Sequence, residues 1–351
     1  MTKRATIYIL LLAMLALAWP NSRAAYASAD RELLVASPSA SAGATASAAP
    51  RVNVAIQAGH WKAAELPEPL ARLRTSTGAN GGGRNEAQVT LDIAQRVAKL
   101  LRGKGLTVEV LPATVPTGYQ ADLFVSLHAD GSASTQARGY KVSTRWRSEV
   151  AGLDALLVQA MEEGSSRVTR MPQNGSITRA MRGYYAYSTY RGEEYRLGAE
   201  TPAAIVEMGF MSNAADRAVM FNNPDLLARG VVAGIDSFYA RRAEGLRLQA
   251  AAEREAAASP YGRSAVVLSD GTNVREGAST SARKVDSVDF GESFPLLERS
   301  NVRSSNSSGS PGGSPGSRGT QLASDSGWYK IATPASEGDA YITRDLVVVQ
   351  E

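Results

Sequence analysis

The chain has 351 residues, 44% of them hydrophobic and 21% charged, which is enough apolar material for a buried core and excludes wholesale disorder or a fibrous fold. The formal charge of +4 includes Lys3, Arg4 and Arg23, the only charged residues before position 28, and without them the 38 Lys and Arg fall to 35 against 34 Asp and Glu. A nearly neutral chain of mixed signs offers no basic face for nucleic acid, and the lack of any cysteine excludes disulfides, thiolate metal sites and cysteine nucleophiles.

Residues 1–27 read as an export signal: Lys3 and Arg4 lead, residues 5–19 form an uncharged apolar core, and Ala25-Tyr26-Ala27 supplies small residues for cleavage before Ser28. The alternative is a retained anchor, but the apolar run ends at Pro20, short of the roughly 20 residues needed to span a bilayer. A secreted, extracytoplasmic location is therefore expected, with no membrane span after cleavage. Residues 28–50 are rich in Ala, Ser and Pro and read as a flexible tether.

The first folded unit is expected over 51–240. Residues 52–56 form a short apolar strand that stops near Gly59-His60. A Pro- and Gly-rich stretch follows, then a helix over 86–102 with Val89, Ile93, Val97 and Leu100 on one face. Strands are expected over 106–111 and 121–127, the second ending at His128; a helix over 148–163; a strand over 203–207; and a helix opened by Asn223-Pro224 with Leu227, Val231, Ile235 and Phe238 as its apolar face. Alternating strands and helices predict an α/β fold, an open, mostly parallel sheet with helices on both faces.

Residues 241–262 read as a helical linker poor in apolar surface, and residues 263–351 as a second, all-β unit of short strands and turns. Residues 304–317, almost entirely Ser, Gly and Pro, form an insertion in one of its loops.

The chemistry starts from scarcity, because the chain has two histidines. His60 and His128 each fall just past an expected strand end, the edge of an α/β sheet where ligands bind. Glu86 opens a helix, and Glu207 ends an apolar strand where a carboxylate without a partner would be costly to desolvate. Glu65 and Glu68 compete with Glu86, but they stand in an irregular loop with no helix to aim them. Catalytic zinc commonly takes three nitrogen or oxygen ligands and leaves a position for water, so His60, Glu86 and His128 are candidate ligands for one Zn2+ per chain. A nearby carboxylate can then move the proton of the attacking water.

The segments VAIQAGHW, NEAQVTLDIAQRVAKLL, ADLFVSLHADG and PAAIVEMGFMSN resemble the four signature blocks of the autolysin-type, zinc-dependent N-acetylmuramoyl-L-alanine amidases of bacterial cell walls, in order and spacing. The resemblance implies zinc ligands at His60, Glu86 and His128, and Glu207 as the catalytic carboxylate. It also implies the reaction, hydrolysis of the amide joining N-acetylmuramic acid to L-alanine in peptidoglycan. Where that family usually has an Asp before the first histidine this chain has Gln57, and where it has a Gly after it this chain has Trp61, which bears on the contact that orients His60. Two other readings share these residues: a weakly active or inactive wall-binding or regulatory protein, and a zinc peptidase cutting within the stem peptide.

The C-terminal blocks GTNVREGASTSARKVDSVDFGESFPLLE and GWYKIATPASEGDAYITRDLV are similar to bacterial SH3-like domains, which implies a small barrel that binds peptidoglycan peptides. Tyr184, Tyr185, Tyr187, Tyr190 and Tyr195, with Arg182, Arg191 and Arg196, form either the lining of a groove for sugar and peptide or an ordinary packed loop. Sequence leaves the oligomeric state open.

Overall fold

A computed structural model describes residues 52–187, 195–298, 327–334, 336 and 338–351. The expected signal (1–27), the tether (28–50) and the Ser/Gly/Pro insertion (304–317) lie outside the described residues.

The first folded region runs β1 (Val54–Ala58), β2 (Asn80–Gly81), β3 (Arg84–Asn85), α1 (Glu86–Gly103), β4 (Val108–Leu111), β5 (Leu123–Asp130), β6 (Lys141–Ser143) and β7 (Arg147–Ser148). It continues through α2 (Ala151–Thr169), the single turn α3 (Arg179–Arg182), β8 (Ala203–Phe210), α4 (Ala214–Asn222), α5 (Pro224–Ala240) and α6 (Arg242–Ala258). Its sheet has the order β4-β1-β5-β8-β6, with β4, β1, β5 and β8 parallel and β6 an antiparallel edge. This is the expected mostly parallel α/β sheet, with helices packed against it. α1 covers β1, β4 and β5, α2 covers β6 and β8, and α5 packs on both helices.

The apolar stripe of α1 has Val89, Ile93 and Val97 buried as expected, but its fourth position is Leu101, fully buried, while Leu100 is 39% exposed. The stripe advances by four residues at each step rather than dropping back by three. The helix starts on a capping box, in which the Asn85 side chain accepts from the Gln88 amide and the Gln88 side chain accepts from the Asn85 amide. That box fixes where the first helical residue, Glu86, stands.

β5 and β8 both run further than their apolar cores suggest. His128 lies inside β5, not past its end, and Glu207 lies within β8, opposite His128 in the parallel register. Alternation along the strands puts Gln57, His128 and Glu207 on the same sheet face as Ala55, Phe124 and Ala203. Those three apolar residues pack with Tyr184, Tyr185 and Tyr187. β6, β7 and α4 have no counterpart in the sequence reading; the two strands are too short and too polar to produce a periodic signal.

The C-terminal residues form β9 (Ser264–Val267), β10 (Thr272–Arg275), β11 (Lys284–Val288), β12 (Ser293–Pro295), β13 (Trp328–Ile331), β14 (Ala340–Thr343) and β15 (Val347–Gln350). They make two small sheets, β11-β10-β14-β13 and β12-β9-β15-β7, around a core that includes Val267, Val274, Ile331, Ile342 and Val347. The second sheet takes β7 from the first folded region: Val349 pairs with Arg147 and Gln350 with Ser148, in parallel. A further cluster joins Ala151 and Ala155 of α2 to Ala252 of α6 and to Val266 and Val348 of the β unit. α6 is therefore held through its buried residues Gly245, Gln249, Ala252 and Ala256, which explains how a helix of low apolar content is fixed. Among the described residues no helix is long and apolar enough to cross a membrane.

Candidate metal centre

Three loops and strands converge on one point. β1 ends at Ala58, and the chain turns through Gly59 into His60, whose backbone is left-handed at φ 61°. A non-glycine residue held there is uncommon and carries strain that its surroundings must offset. The Gly59 amide donates to the Leu127 carbonyl at 2.9 Å, and Thr90 Oγ1 of α1 donates to the Gly59 carbonyl at 2.7 Å, so the turn is tied to both β5 and α1. The His60 ring places Nδ1 2.6 Å from the Ser76 carbonyl, which fixes that nitrogen as the donor and leaves Nε2, 3.5 Å from Glu86 Oε1, for another partner.

Glu86 is 3% exposed at the first position of α1. Its Oε2 accepts from the Ala79 amide at 2.8 Å, while Oε1 accepts from the Ala129 amide at 3.0 Å and faces His128 Nδ1 at 2.9 Å. Burial would raise its pKa, yet the His128 bond and the two imidazoles outweigh burial and hold it below the ordinary carboxylate range. The same contact raises His128 against the downward pull of its burial.

His60, Glu86 and His128 each offer a ligand atom, and the three atoms lie within 4.8 Å of one another. At Gly59 and Gly78 the surroundings leave no room for a side chain larger than hydrogen. A Cβ at Gly59 would lie 2.6 Å from the His128 ring, and one at Gly78, whose φ is 77°, would lie 2.5 Å from Glu86 Oε2 and 2.7 Å from the His60 ring. Two imidazoles and a carboxylate in a cradle lined by glycine fit a divalent cation of the zinc type.

Glu207 is the next carboxylate. It stands across from His128 on one side and from Lys141 of β6 on the other. Its Oε2 is buried with no hydrogen-bond partner, and so is His128 Nε2. Buried polar atoms without partners are rare, and two on facing residues mark a place built for something else to bind or react. Burial pushes the Glu207 carboxyl up to about 8, with Glu86 and Asp130 adding to the rise and His128 and Lys141 opposing it. A cation held by the neighbouring triad would draw it back down.

Lys141 is missing from the sequence reading. It is 1% exposed, donates to Asp130 Oδ2 and lies 5.2 Å over the Phe210 ring. A lysine in a short edge strand reads as a solvated residue, and only the β6–β8 pairing reveals its place.

Gln57 makes no hydrogen bond to His60. Its Oε1 accepts from Ser126 Oγ and Tyr184 Oη, and its Nε2 donates to the Pro112 and Ala113 carbonyls and to Tyr185 Oη. The contact that orients His60 comes instead from the Ser76 carbonyl, a backbone group that no side-chain pattern announces. Glu65 and Glu68 are exposed and pair with Lys62 and Arg74, away from the triad. Arg84 stacks 4.8 Å over Phe221, and Trp61 is half-buried under the Lys62 ammonium. Of the aromatic cluster, Tyr184, Tyr185 and Tyr187 pack on the sheet and Tyr195 packs beside Leu66 and Leu70; Tyr190 and Arg191 lie outside the described residues.

With this geometry in place, comparison with protein families adds the deciding observation: the Amidase_3 family model, described as N-acetylmuramoyl-L-alanine amidase, matches residues 54–237. The chain belongs to this family. The match spans the parallel sheet and contains His60, Glu86, His128 and Glu207, so the amidase is a hydrolase of the class that acts on the peptidoglycan of the cell wall.

Among solved structures, the amidase is similar to an N-acetylmuramoyl-L-alanine amidase from Clostridium difficile 630, at 19% identity and a TM-score of 0.38, over 54% of this chain and 97% of that one. It is also similar to AmiC2 of Nostoc punctiforme, at 19% identity and a TM-score of 0.38, over 54% and 98% of the two chains. A third is Ami1 of Mycobacterium smegmatis, at 19% identity and a TM-score of 0.37, over 54% and 97%. No curated protein sequence matches the amidase.

Proposed function

We propose that this chain is an exported zinc amidase that cleaves the bond between the lactyl group of N-acetylmuramic acid and the L-alanine of the stem peptide. His60, Glu86 and His128 hold one zinc ion, and Glu207 handles the proton. The observation that carries the reading is the juxtaposition of the three ligand atoms, within 4.8 Å of one another, with the unpartnered carboxyl oxygen of Glu207.

Bound zinc would polarise the amide carbonyl and acidify a water. The chain's own residues supply the rest. The Ser76 carbonyl keeps the proton of His60 on Nδ1, so Nε2 stays available as a ligand. The amides of Ala79 and Ala129 hold the Glu86 carboxylate in one orientation. Glu207, partly buried beside His128, takes the proton of the attacking water and returns it to the leaving amine. Lys141, buried on the far side of Glu207, keeps a positive charge near that exchange.

The export signal over 1–27 supports action outside the cytoplasmic membrane, where peptidoglycan lies. The β unit over 263–351, with its likeness to SH3-like domains, is proposed to bind wall peptides and raise local substrate concentration. The test is mass spectrometry of fragments released from purified wall by the metal-loaded protein. Free stem peptides beginning with L-alanine are expected, along with glycan carrying free lactyl carboxylates. Cuts between residues of the stem would mean a peptidase, and no release with zinc bound would mean a wall-binding or regulatory protein.

A further inference from the structure

Arg182 is 2% exposed, and the partners of its guanidinium are four backbone carbonyls drawn from both parts of the fold. Nε donates to the Thr144 carbonyl and Nη2 to the Arg145 carbonyl, each at 3.3 Å, in the segment between β6 and β7. Nη1 donates to the Arg344 carbonyl at 2.6 Å, and Nη2 also donates to the Val347 carbonyl, both in the C-terminal β unit. Removing a guanidinium from water in favour of carbonyls alone is expensive, and burial pulls its pKa down to about 10. A surface arginine meant for a sugar groove would not be spent this way.

The position of Arg182 in the chain gives the arrangement its meaning. It closes the single turn α3, and two residues later Tyr184 sets its ring edge-on to His128, with centroids 5.4 Å apart at 83°. The Tyr184 hydroxyl donates to Gln57 Oε1 at 2.6 Å, under the same sheet face. On the other side, Thr144 Oγ1 donates to the Ala203 carbonyl at 2.7 Å, at the start of the strand that carries Glu207. One buried cation thus pins the C-terminal β unit to the two segments that flank His128 and Glu207.

We propose that Arg182 is a positioning residue for the amidase reaction, and that the C-terminal β unit, through it, braces the wall of the metal centre and is needed for turnover of substrates too small to require wall attachment. The inference rests on the reading of His128 as a ligand and Glu207 as the proton carrier. It differs from a targeting role, which would alter wall affinity and leave hydrolysis of a soluble fragment untouched.

The experiment uses the full chain loaded with zinc for kinetics on a soluble muropeptide, and with cobalt(II) for its visible spectrum. Outer-shell partners of metal ligands are typically worth about 10- to 100-fold in activity or metal affinity. Arg182→Gln is expected to lower kcat within that range, leave KM near its original value and shift the cobalt bands. Tyr184→Leu should shift the bands in the same way. Gln350→Ala, which breaks the bonds to Ala151 and Gln249 elsewhere in the same interface, should change neither readout. If Arg182→Gln does not fold by circular dichroism, Arg182→Lys, which keeps the charge but fewer donors, takes its place.

Wild-type kcat and spectrum in the folded Arg182 variant would overturn the proposal, as would an equal loss in Gln350→Ala. A wild-type chain that binds cobalt but cleaves no muropeptide would refute the proposed function and the turnover part of this proposal, while the spectra of the Arg182 and Tyr184 variants would still decide whether the brace exists. A wild-type chain that binds no cobalt would overturn both.

Discussion

His128, buried, and Glu207, partly buried, face each other on adjacent parallel strands, and each keeps one buried polar atom without a hydrogen-bond partner. Their neighbours differ. His128 shares a hydrogen bond with Glu86, while Glu207 has only charges around it, so the two carboxylates flanking this histidine should respond differently to the same substitution.

Glu207→Gln is expected to retain zinc and lose turnover by about 10² to 10⁴-fold, the usual contribution of a general acid or base. Glu86→Gln should lose metal affinity together with activity, because it removes a ligand charge. Metal content after dialysis, read beside stem-peptide release, separates the two roles. Zinc loss in Glu207→Gln would turn it from proton carrier into ligand.

Gly78 and Gly83 both have left-handed backbones, at φ 77° and 79°, but only Gly78 has neighbours where a Cβ would go. Alanine at either position should meet a backbone penalty of about 1–2 kcal/mol. Gly78→Ala should in addition displace Glu86 or His60 and weaken metal binding, whereas Gly83→Ala should bind metal normally. Isothermal titration with zinc compares them, and equal affinities would show that the cradle is not tight.

Asp154 is fully buried at the start of α2, accepting from Arg145 Nε and Nη2 and from the Ala203 amide. Asp154→Ala strands the Arg145 charge and the amide that begins β8. A loss of about 3–5 kcal/mol in unfolding free energy is expected, the range for removing one partner of a buried pair. A denaturant melt shifted by less than 1 kcal/mol would contradict this.

Glu162 supplies a pH test away from the metal centre. Burial raises its pKa to about 7 from 4.5 although Gln173 donates to its carboxyl. The folded chain holds this proton more tightly than the unfolded chain. Its contribution to stability is therefore complete below about pH 4.5 and falls away as pH rises through 7. Glu162→Gln should melt like the wild type at pH 4 and at a higher temperature than the wild type at pH 8. Parallel melting curves at both pH values would refute the assignment.

The features legible in the sequence were those written in side-chain periodicity. The face of α5, with Leu227, Val231, Ile235 and Phe238, is buried as the spacing predicts, and so are three of the four positions assigned to α1. His60, Glu86 and His128 stand out in the sequence because a chain with two histidines leaves little choice of imidazole and Glu86 opens a helix, and the structure brings ligand atoms of these three residues within 4.8 Å of one another. What escaped was carried by backbone or by distant pairing. The Ser76 carbonyl has no side-chain signature, Lys141 and Arg182 look like surface charges, and Gln57 stands beside His60 in sequence while bonding to Tyr184 and Tyr185. Each is settled by a contact between segments far apart in the chain, which local patterns do not encode.

The pairing of β7 with β15 also bears on the order of events in folding. Arg147 and Ser148 meet Val349 and Gln350 across roughly 200 residues of intervening chain. Loop closure over that span adds little to the equilibrium cost, because the entropy grows only with the logarithm of length. It weighs on the rate, since so distant a contact must wait for the intervening chain to condense. The register cannot form until residues 347–350 have left the ribosome. The segment between β6 and β7 is therefore among the last to be fixed, after most of the polypeptide has been made.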